Sequence, residues 1–214
     1  MSPRHLVRTF VAVAALWLGS AAQAGSYEDF FSAIARDNPQ TLQTLFERGF
    51  DANTLDDKGQ TGLHIALRTE SLRAAAAIVE APSLQPNVLN AAGESALMMA
   101  ALRGQESIAA RLIERGADID KKGWAPLHYA ASGPSTPMVK LLLARGAAIE
   151  AESPNRSTPL MMAAGYGPES SVDALLAKGA DPKRVNDLKL NAVDFARRAG
   201  REALAKRLEA AAAR

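Results

Sequence analysis

Apolar positions along this chain return in a fixed phase about every 33 residues, in GQTGLHIA at 59–66, GESALMMA at 93–100, GWAPLHYA at 123–130 and RSTPLMMA at 156–163. Aligned on the apolar residue that opens each segment, the register runs Phe30, Leu63, Leu97, Leu127, Leu160 and Val193, with spacings of 33, 34, 30, 33 and 33. Three residues after each anchor stands alanine, at Ala33, Ala66, Ala100, Ala130, Ala163 and Ala196. That is the size restriction expected where two helix backbones approach closely. Nineteen residues after the anchor, four units carry glycine (Gly49, Gly116, Gly146, Gly179), each behind an apolar run at helical spacing, while Pro82 stands there in the second unit. Such a glycine reads as the left-handed residue that ends a second helix. Helix starts are equally legible. Thr158-Pro159 supplies an N-cap and a proline at the first helical position, and Thr61, Ser95 and Asn191 offer side-chain oxygens at the same place. Ala125 offers none, which predicts a fourth unit weaker by about 1 kcal/mol.

A helix–turn–helix unit of this length is the signature of a stacked solenoid, in which neighbours complete one another's core. The boundaries fall near 25–55, 56–89, 90–120, 121–153, 154–186 and 187–214, after a separate segment 1–24. With 48% apolar residues the array can build one continuous core. The first unit lacks the helix-start pattern, and the last carries Arg201, Glu202, Lys206, Arg207 and Glu209 on its final helix, so both read as polar caps meeting water. Between Gly116 and Leu127 the chain is three residues shorter than in its neighbours, which predicts a clipped tip there.

The strings APLHYAA (125–131), TPLMMAAGYG (158–167), LIERGADID (112–120) and LLAKGADP (175–182) resemble ankyrin repeats, and the resemblance covers nearly all of residues 25–214. It implies an all-α ankyrin-repeat solenoid of about six helix-turn-helix units with protruding hairpin tips and polar capping repeats. It also implies protein binding through the tips and the exposed ends of the first helices.

Residues 1–24 read differently. Arg4, His5 and Arg8 precede an apolar run from Phe10 to Leu18 and small residues ending in Ala22-Gln23-Ala24, the layout of a secretory signal cleaved after Ala24. A buried first helix or an uncleaved anchor is the competing reading, but the nine apolar residues before Gly19 fall short of the ~20 needed to span a bilayer. The expected location is the bacterial periplasm, with no membrane anchor after cleavage. The chain has no cysteine, so packing alone must hold the fold in that oxidising compartment. Loss of residues 1–24 removes Arg4 and Arg8 and no acid, leaving 23 basic against 23 acidic residues. A neutral mature chain gives no footing to nucleic-acid or anionic-lipid binding.

Candidate chemistry is sparse. His64 and His128 occupy equivalent helix-start positions, where an imidazole ties down local backbone or hydroxyl groups. Two layers separate them by ~20 Å, too far to share a metal. Gly165-Tyr166-Gly167 is a near miss to a dinucleotide loop and is better read as an inter-helix turn. Asp56, Asp57 and Asp118–Asp120 suit turns, without calcium-loop spacing. No catalytic residue, cofactor or metal site is expected. Ile65, Met99, Tyr129, Met162 and Phe195 share the position two beyond the anchor and predict an apolar stripe on the concave side.

The expected partner-binding residues are Lys58, Arg68, Arg103, Lys121, Lys122, Trp124, Tyr129, Asn155, Arg156 and Tyr166, on the tips and first helices. Aromatic residues beside arginine are the composition of interface hot spots. The dominance of cations predicts an acidic protein surface as the partner of a monomeric chain, and a more acidic opposite face. The leading function is a non-enzymatic interaction module, in a stress-protecting or toxin-neutralising role. The alternatives are an envelope scaffold or cell-wall-binding protein and, less favoured, an enzyme with a site in the groove.

Overall fold

The computed structural model describes residues 25–213, so the signal-like segment 1–24 lies outside the described residues. Twelve helices, with no strand among the described residues, form six antiparallel pairs: α1 (25–35) with α2 (Pro39–Glu47), α3 (Gly62–Arg68) with α4 (Leu72–Glu80), and α5 (Ala96–Arg103) with α6 (Glu106–Glu114). The later pairs are α7 (Pro126–Ser132) with α8 (Thr136–Ala144), α9 (Pro159–Tyr166) with α10 (Glu169–Ala177), and α11 (Ala192–Arg198) with α12 (Glu202–Ala212). Helices of 7 to 11 residues are too short to persist alone in water, so each depends on its neighbours.

The first helices of successive pairs stack on one another from α3 to α11, and the second helices stack in a parallel row from α2 to α10. Every anchor and every alanine three residues later is buried, all at 5% exposure or less. Fully burying a leucine is worth roughly 1.5–3 kcal/mol, and the anchors repeat that gain at each layer. Gly49, Gly116, Gly146 and Gly179 all have φ between +83° and +93°, as the sequence pattern requires. After each of them, the next amide donates back to the carbonyl at the close of the helix, as Ala117 N does to Leu112 O at 2.9 Å.

Caps at the helix starts follow the sequence, with one correction. Thr61, Ser95, Thr158 and Asn191 accept from the amide three residues on. Ala125 makes no side-chain cap, yet its own amide donates to Nδ1 of His128 at 3.1 Å, so the predicted weakness of the fourth unit is partly offset from within the helix. The same place is served by sulfur in two other units, where Ser95 N donates to Met98 Sδ and Thr158 N to Met161 Sδ, each at 3.4 Å. In α11 Asp194 does it with a carboxylate at 3.0 Å.

Two arginines reach across layers to cap a neighbour's helix end. Where Pro82 replaces the closing glycine, Arg115 donates to Val79 O at 2.9 Å and Ala81 O at 2.8 Å. Arg201 donates to the carbonyls of Ala163, Ala164 and Gly167 at 3.1, 3.0 and 2.8 Å. Arg201 therefore serves the end of α9 instead of the water-facing cap the sequence predicted, because these three carbonyls converge within reach of one guanidinium.

The first pair departs from the others in its packing. Phe30 meets Phe31, Phe46 and Phe50 at ring-centroid distances of 5.0, 6.2 and 4.9 Å. Its ring also fills the space of a missing side chain: a β-carbon on Gly62 would stand 2.4 Å from Phe30 Cζ.

Candidate functional site

The fingers between pairs are built by local polar bonds. In four of them a residue bonds across the tip, as Asp56 N to Gln60 O, Asn90 N to Glu94 O, Ser153 N to Ser157 O and Asn186 N to Leu190 O, at 2.9 to 3.0 Å. Residues 118–124 make no such bond among the described residues, which is the expected consequence of the three-residue deletion. The short finger is braced instead by the next one: a β-carbon on Gly123 would lie 3.6 Å from Pro154 Cγ, so the proline ring rests against this turn.

Both histidines are structural ties. His64 Nδ1 accepts the Thr61 hydroxyl at 2.7 Å, and Nε2 lies 3.1 Å from Glu94 O. His128 Nδ1 accepts the Ala125 amide, and Nε2 lies 2.9 Å from Ser157 O. A carbonyl can only accept, so each ring carries its proton on Nε2 and fastens the following finger. Burial pushes both imidazoles below the usual histidine value, against the opposing effect of those carbonyls.

Trp124 is 37% exposed and stands edge-on to His128 at 5.4 Å and to Tyr129 at 6.4 Å. It leans back on α7 while keeping a free face. That face separates two depressions. The larger, about 330 Å³, runs from Trp124 past Met162 and Tyr166 to Leu188, Phe195 and Arg198. The smaller, about 220 Å³, lies between Trp124, Leu102, Tyr129 and Met162. Ile65, Met99, Tyr129, Met162 and Phe195 are all half-buried against the core, so the predicted stripe forms the floor of this face. Gly165 and Tyr166 belong to the last turn of α9, which extends beyond the predicted turn because Gly167 N still bonds Ala163 O at 3.0 Å.

The structure brings Trp124, Asn155 and Tyr166 together around the larger depression and Trp124 with Tyr129 at the smaller one. Lys121 and Lys122 flank Trp124 in sequence on the same finger, and Tyr166 is 68% exposed. Lys58 and Arg68 are exposed nearer the amino-terminal end and line neither depression. Arg103 is paired with Glu70 at 3.1 Å and Arg156 with Glu152 at 3.3 Å, so both are partly neutralised. Among the described residues no ion pair is found for Lys58, Arg68, Lys121, Lys122 or Arg198. Glu94 is occupied by Asn90 Nδ2 at 2.9 Å and by the Tyr129 hydroxyl at 3.1 Å. Burial, with the Glu94 carboxylate next, pushes the Tyr129 hydroxyl up to about 12.

The second helices carry both signs, paired across layers as Arg111 with Glu80 at 2.6 Å and Arg207 with Glu169 at 2.6 Å. Other acids are used inside the loops, where Asp120 accepts Ala148 N at 3.0 Å and Glu150 accepts Asp181 N at 2.7 Å. Met162, Leu188, Leu190, Phe195 and Arg198 are among the lining residues left off the predicted partner-binding set. The two-beyond-anchor pattern marked Met162 and Phe195, while the two leucines stand five and three residues before the Val193 anchor, on a finger tip.

A family model for ankyrin repeats in three copies matches residues 30–123 and again 119–187. The chain belongs to the ankyrin repeat family. Ankyrin repeats are in general a non-enzymatic module for protein interaction. The B-cell lymphoma 3 protein homolog of Mus musculus is 34% identical over 156 residues, spanning 70% of this chain and 35% of that protein. The nuclear factor NF-kappa-B p105 subunit of Gallus gallus is 28% identical over 157 residues, 70% of this chain and 16% of that protein. The chain thus spans about a third or less of these relatives' own length. Among solved structures, an ankyrin repeat domain from Acinetobacter baumannii superposes with TM-score 0.73 at 24% identity, covering 86% of this chain and 98% of that one. A chain from the complex of a predatory endopeptidase of Bdellovibrio bacteriovorus with an immunity protein does so with TM-score 0.73 at 25% identity, covering 86% and 97%.

Proposed function

We propose that this ankyrin protein is exported to the bacterial periplasm and there, as a monomer without chemistry of its own, holds one acidic protein partner against its fingers and first helices. The observation that carries this reading is the coincidence of exposed Trp124 and Tyr166 with Arg198 around one depression, with Lys121 and Lys122 on the Trp124 finger, none of the three cations having an ion pair among the described residues. Aromatic anchors supply desolvated contact area, and unpaired cations steer an acidic surface toward them. No helix among the described residues is long and apolar enough to cross a membrane. The formally neutral chain that remains after residue 24 favours a protein partner over nucleic acid. The specific role we propose is neutralising an exported enzyme. It is supported by the likeness to a chain of the endopeptidase–immunity complex, which the array matches over nearly its whole length.

The test is capture from periplasmic extract with the native protein and with Lys121, Lys122 and Trp124 exchanged for alanine. A stoichiometric protein that is retained at low salt, released at high salt and lost from the triple variant is the expected result. Retention only on peptidoglycan, or capture indifferent to the triple variant, overturns it.

A further inference from the structure

The polar groups at the larger depression are unbalanced in a way that specifies its occupant. Its walls are Trp124, Met162, Tyr166, Leu188, Leu190 and Phe195. Phe195 packs close to Gly165, where a β-carbon would stand 3.3 Å from Cδ1, and both residues line the depression. The side-chain amide oxygens at the rim are already used internally. Asn155 Oδ1 accepts the Ser153 hydroxyl at 2.6 Å and the Ser157 amide at 3.3 Å. Asn186 Oδ1 accepts the amides of Leu188 and Leu190 at 3.0 and 3.1 Å, and its Nδ2 is spent on Ser157 Oγ at 3.1 Å. Donors remain: the Asn155 amide nitrogen and the Arg198 guanidinium, which has no ion pair among the described residues. No carboxylate lines the depression.

We infer that this depression receives a bulky apolar side chain of a partner peptide that bears a carboxylate next to it, the ring seated against Phe195 and Trp124 and the carboxylate on Arg198. The inference rests on the reading that this face binds a protein. Its volume of about 330 Å³ is roughly twice the ~150 Å³ void that takes up benzene, enough for a phenylalanine side chain with part of its flanking residue. Arginine presents a rigid fork of donors that matches a carboxylate in two places at once, so the pairing fixes orientation as well as charge. Lys121 and Lys122, on the Trp124 finger, extend the positive field for a second acidic residue on the other side of the anchor.

The test uses the full chain and a fluorescein-labelled, end-blocked peptide, Gly-Glu-Phe-Asp-Gly, read by anisotropy. Saturable binding is expected. Replacing the peptide's phenylalanine by alanine, or Arg198→Glu in the protein, weakens it by about tenfold or more. A peptide with lysines in place of both acids binds the native chain poorly and regains affinity for Arg198→Glu. Thermal unfolding of Arg198→Glu is expected to match the native chain, because the side chain is exposed on α11. No saturable binding at millimolar peptide, equal binding of the lysine peptide, or indifference to Arg198→Glu overturns the inference. Self-association of the native chain that Arg198→Glu abolishes assigns the depression to a second copy and also overturns it. If a captured protein stays bound to Arg198→Glu but leaves the Lys121, Lys122 and Trp124 variant, this inference fails while the broader reading stands.

Discussion

At the amino-terminal end of the array the Phe30 ring fills the space of a Gly62 β-carbon, at 2.4 Å, whereas near the carboxy-terminal end Phe195 only crowds that of Gly165, at 3.3 Å. Both glycines lie on first helices and both face a phenylalanine of an adjoining unit. At Gly62 the aromatic cluster of Phe30, Phe31, Phe46 and Phe50 closes the stack against water. Gly165 instead lines a surface depression beside Tyr166 and Arg198. One end of the array spends its aromatic rings on its own stability and the other exposes them.

The comparison can be broken most severely at a third glycine. A β-carbon on Gly167 would stand 2.0 Å from the backbone oxygen of Ala131, an atom that cannot step aside. Gly167→Ala is therefore expected to cost about 3 kcal/mol in urea unfolding, at the upper end for overpacking. Gly62→Ala comes next, at about 2 kcal/mol, because ring atoms held by three other phenylalanines yield more readily than backbone. Arg201→Met should cost about 2 kcal/mol by stranding the Ala164 and Gly167 carbonyls, and more than Arg115→Met, which strands Val79 O alone, because Gly167 N still serves Ala163 O and Leu84 N still serves Ala81 O.

Acid sharpens the contrast between the two halves. The folded-state values of His64 and His128 lie below the unfolded value of 6.5, so the unfolded chain binds protons first. Stability present above pH 6.5 is lost as pH falls through the lowered folded values. The Thr61 hydroxyl can reverse and accept from a protonated His64, but the Ala125 amide can only donate toward His128. Unfolding followed from pH 7 downward should therefore lose more of its acid dependence in His128→Gln than in His64→Gln. The smallest effect is Gly165→Ala. Phe195 is half-buried and can give by a few tenths of an ångström, so the gain in helix propensity should leave the variant more stable by about 0.5 kcal/mol. It should also bind the phenylalanine peptide less well, which separates the glycine that lines the depression from the one beneath Phe30.

Much of this was legible from residue types at fixed spacing. The anchors, the alanines three beyond them and the four closing glycines each obey a rule that acts within one unit. What escaped acts between units. Arg115 and Arg201 carry no local mark of capping a helix some 35 residues earlier, although Pro82 in place of glycine signals that an end needs outside help. His128 substituting for a cap at Ala125, and the sulfurs of Met98 and Met161 serving as acceptors, depend on a side chain folding back three residues. The pairing of Arg103 with Glu70 and of Arg156 with Glu152 likewise needed coordinates, because charge counts along a predicted face do not show which cations are already satisfied. The anchors of the site were visible as tip residues, but the depression that gathers them was not.

The finger that carries Trp124 is furnished by the repeat that follows it. Pro154 leans on Gly123, and the Ser157 carbonyl holds His128, the residue whose other nitrogen steadies Ala125. A shortened array ending at residue 153 would retain every amino acid of that finger and lose its buttress. The recognition element is thus a property of two adjacent repeats jointly, and grafting it onto another scaffold means transplanting the pair.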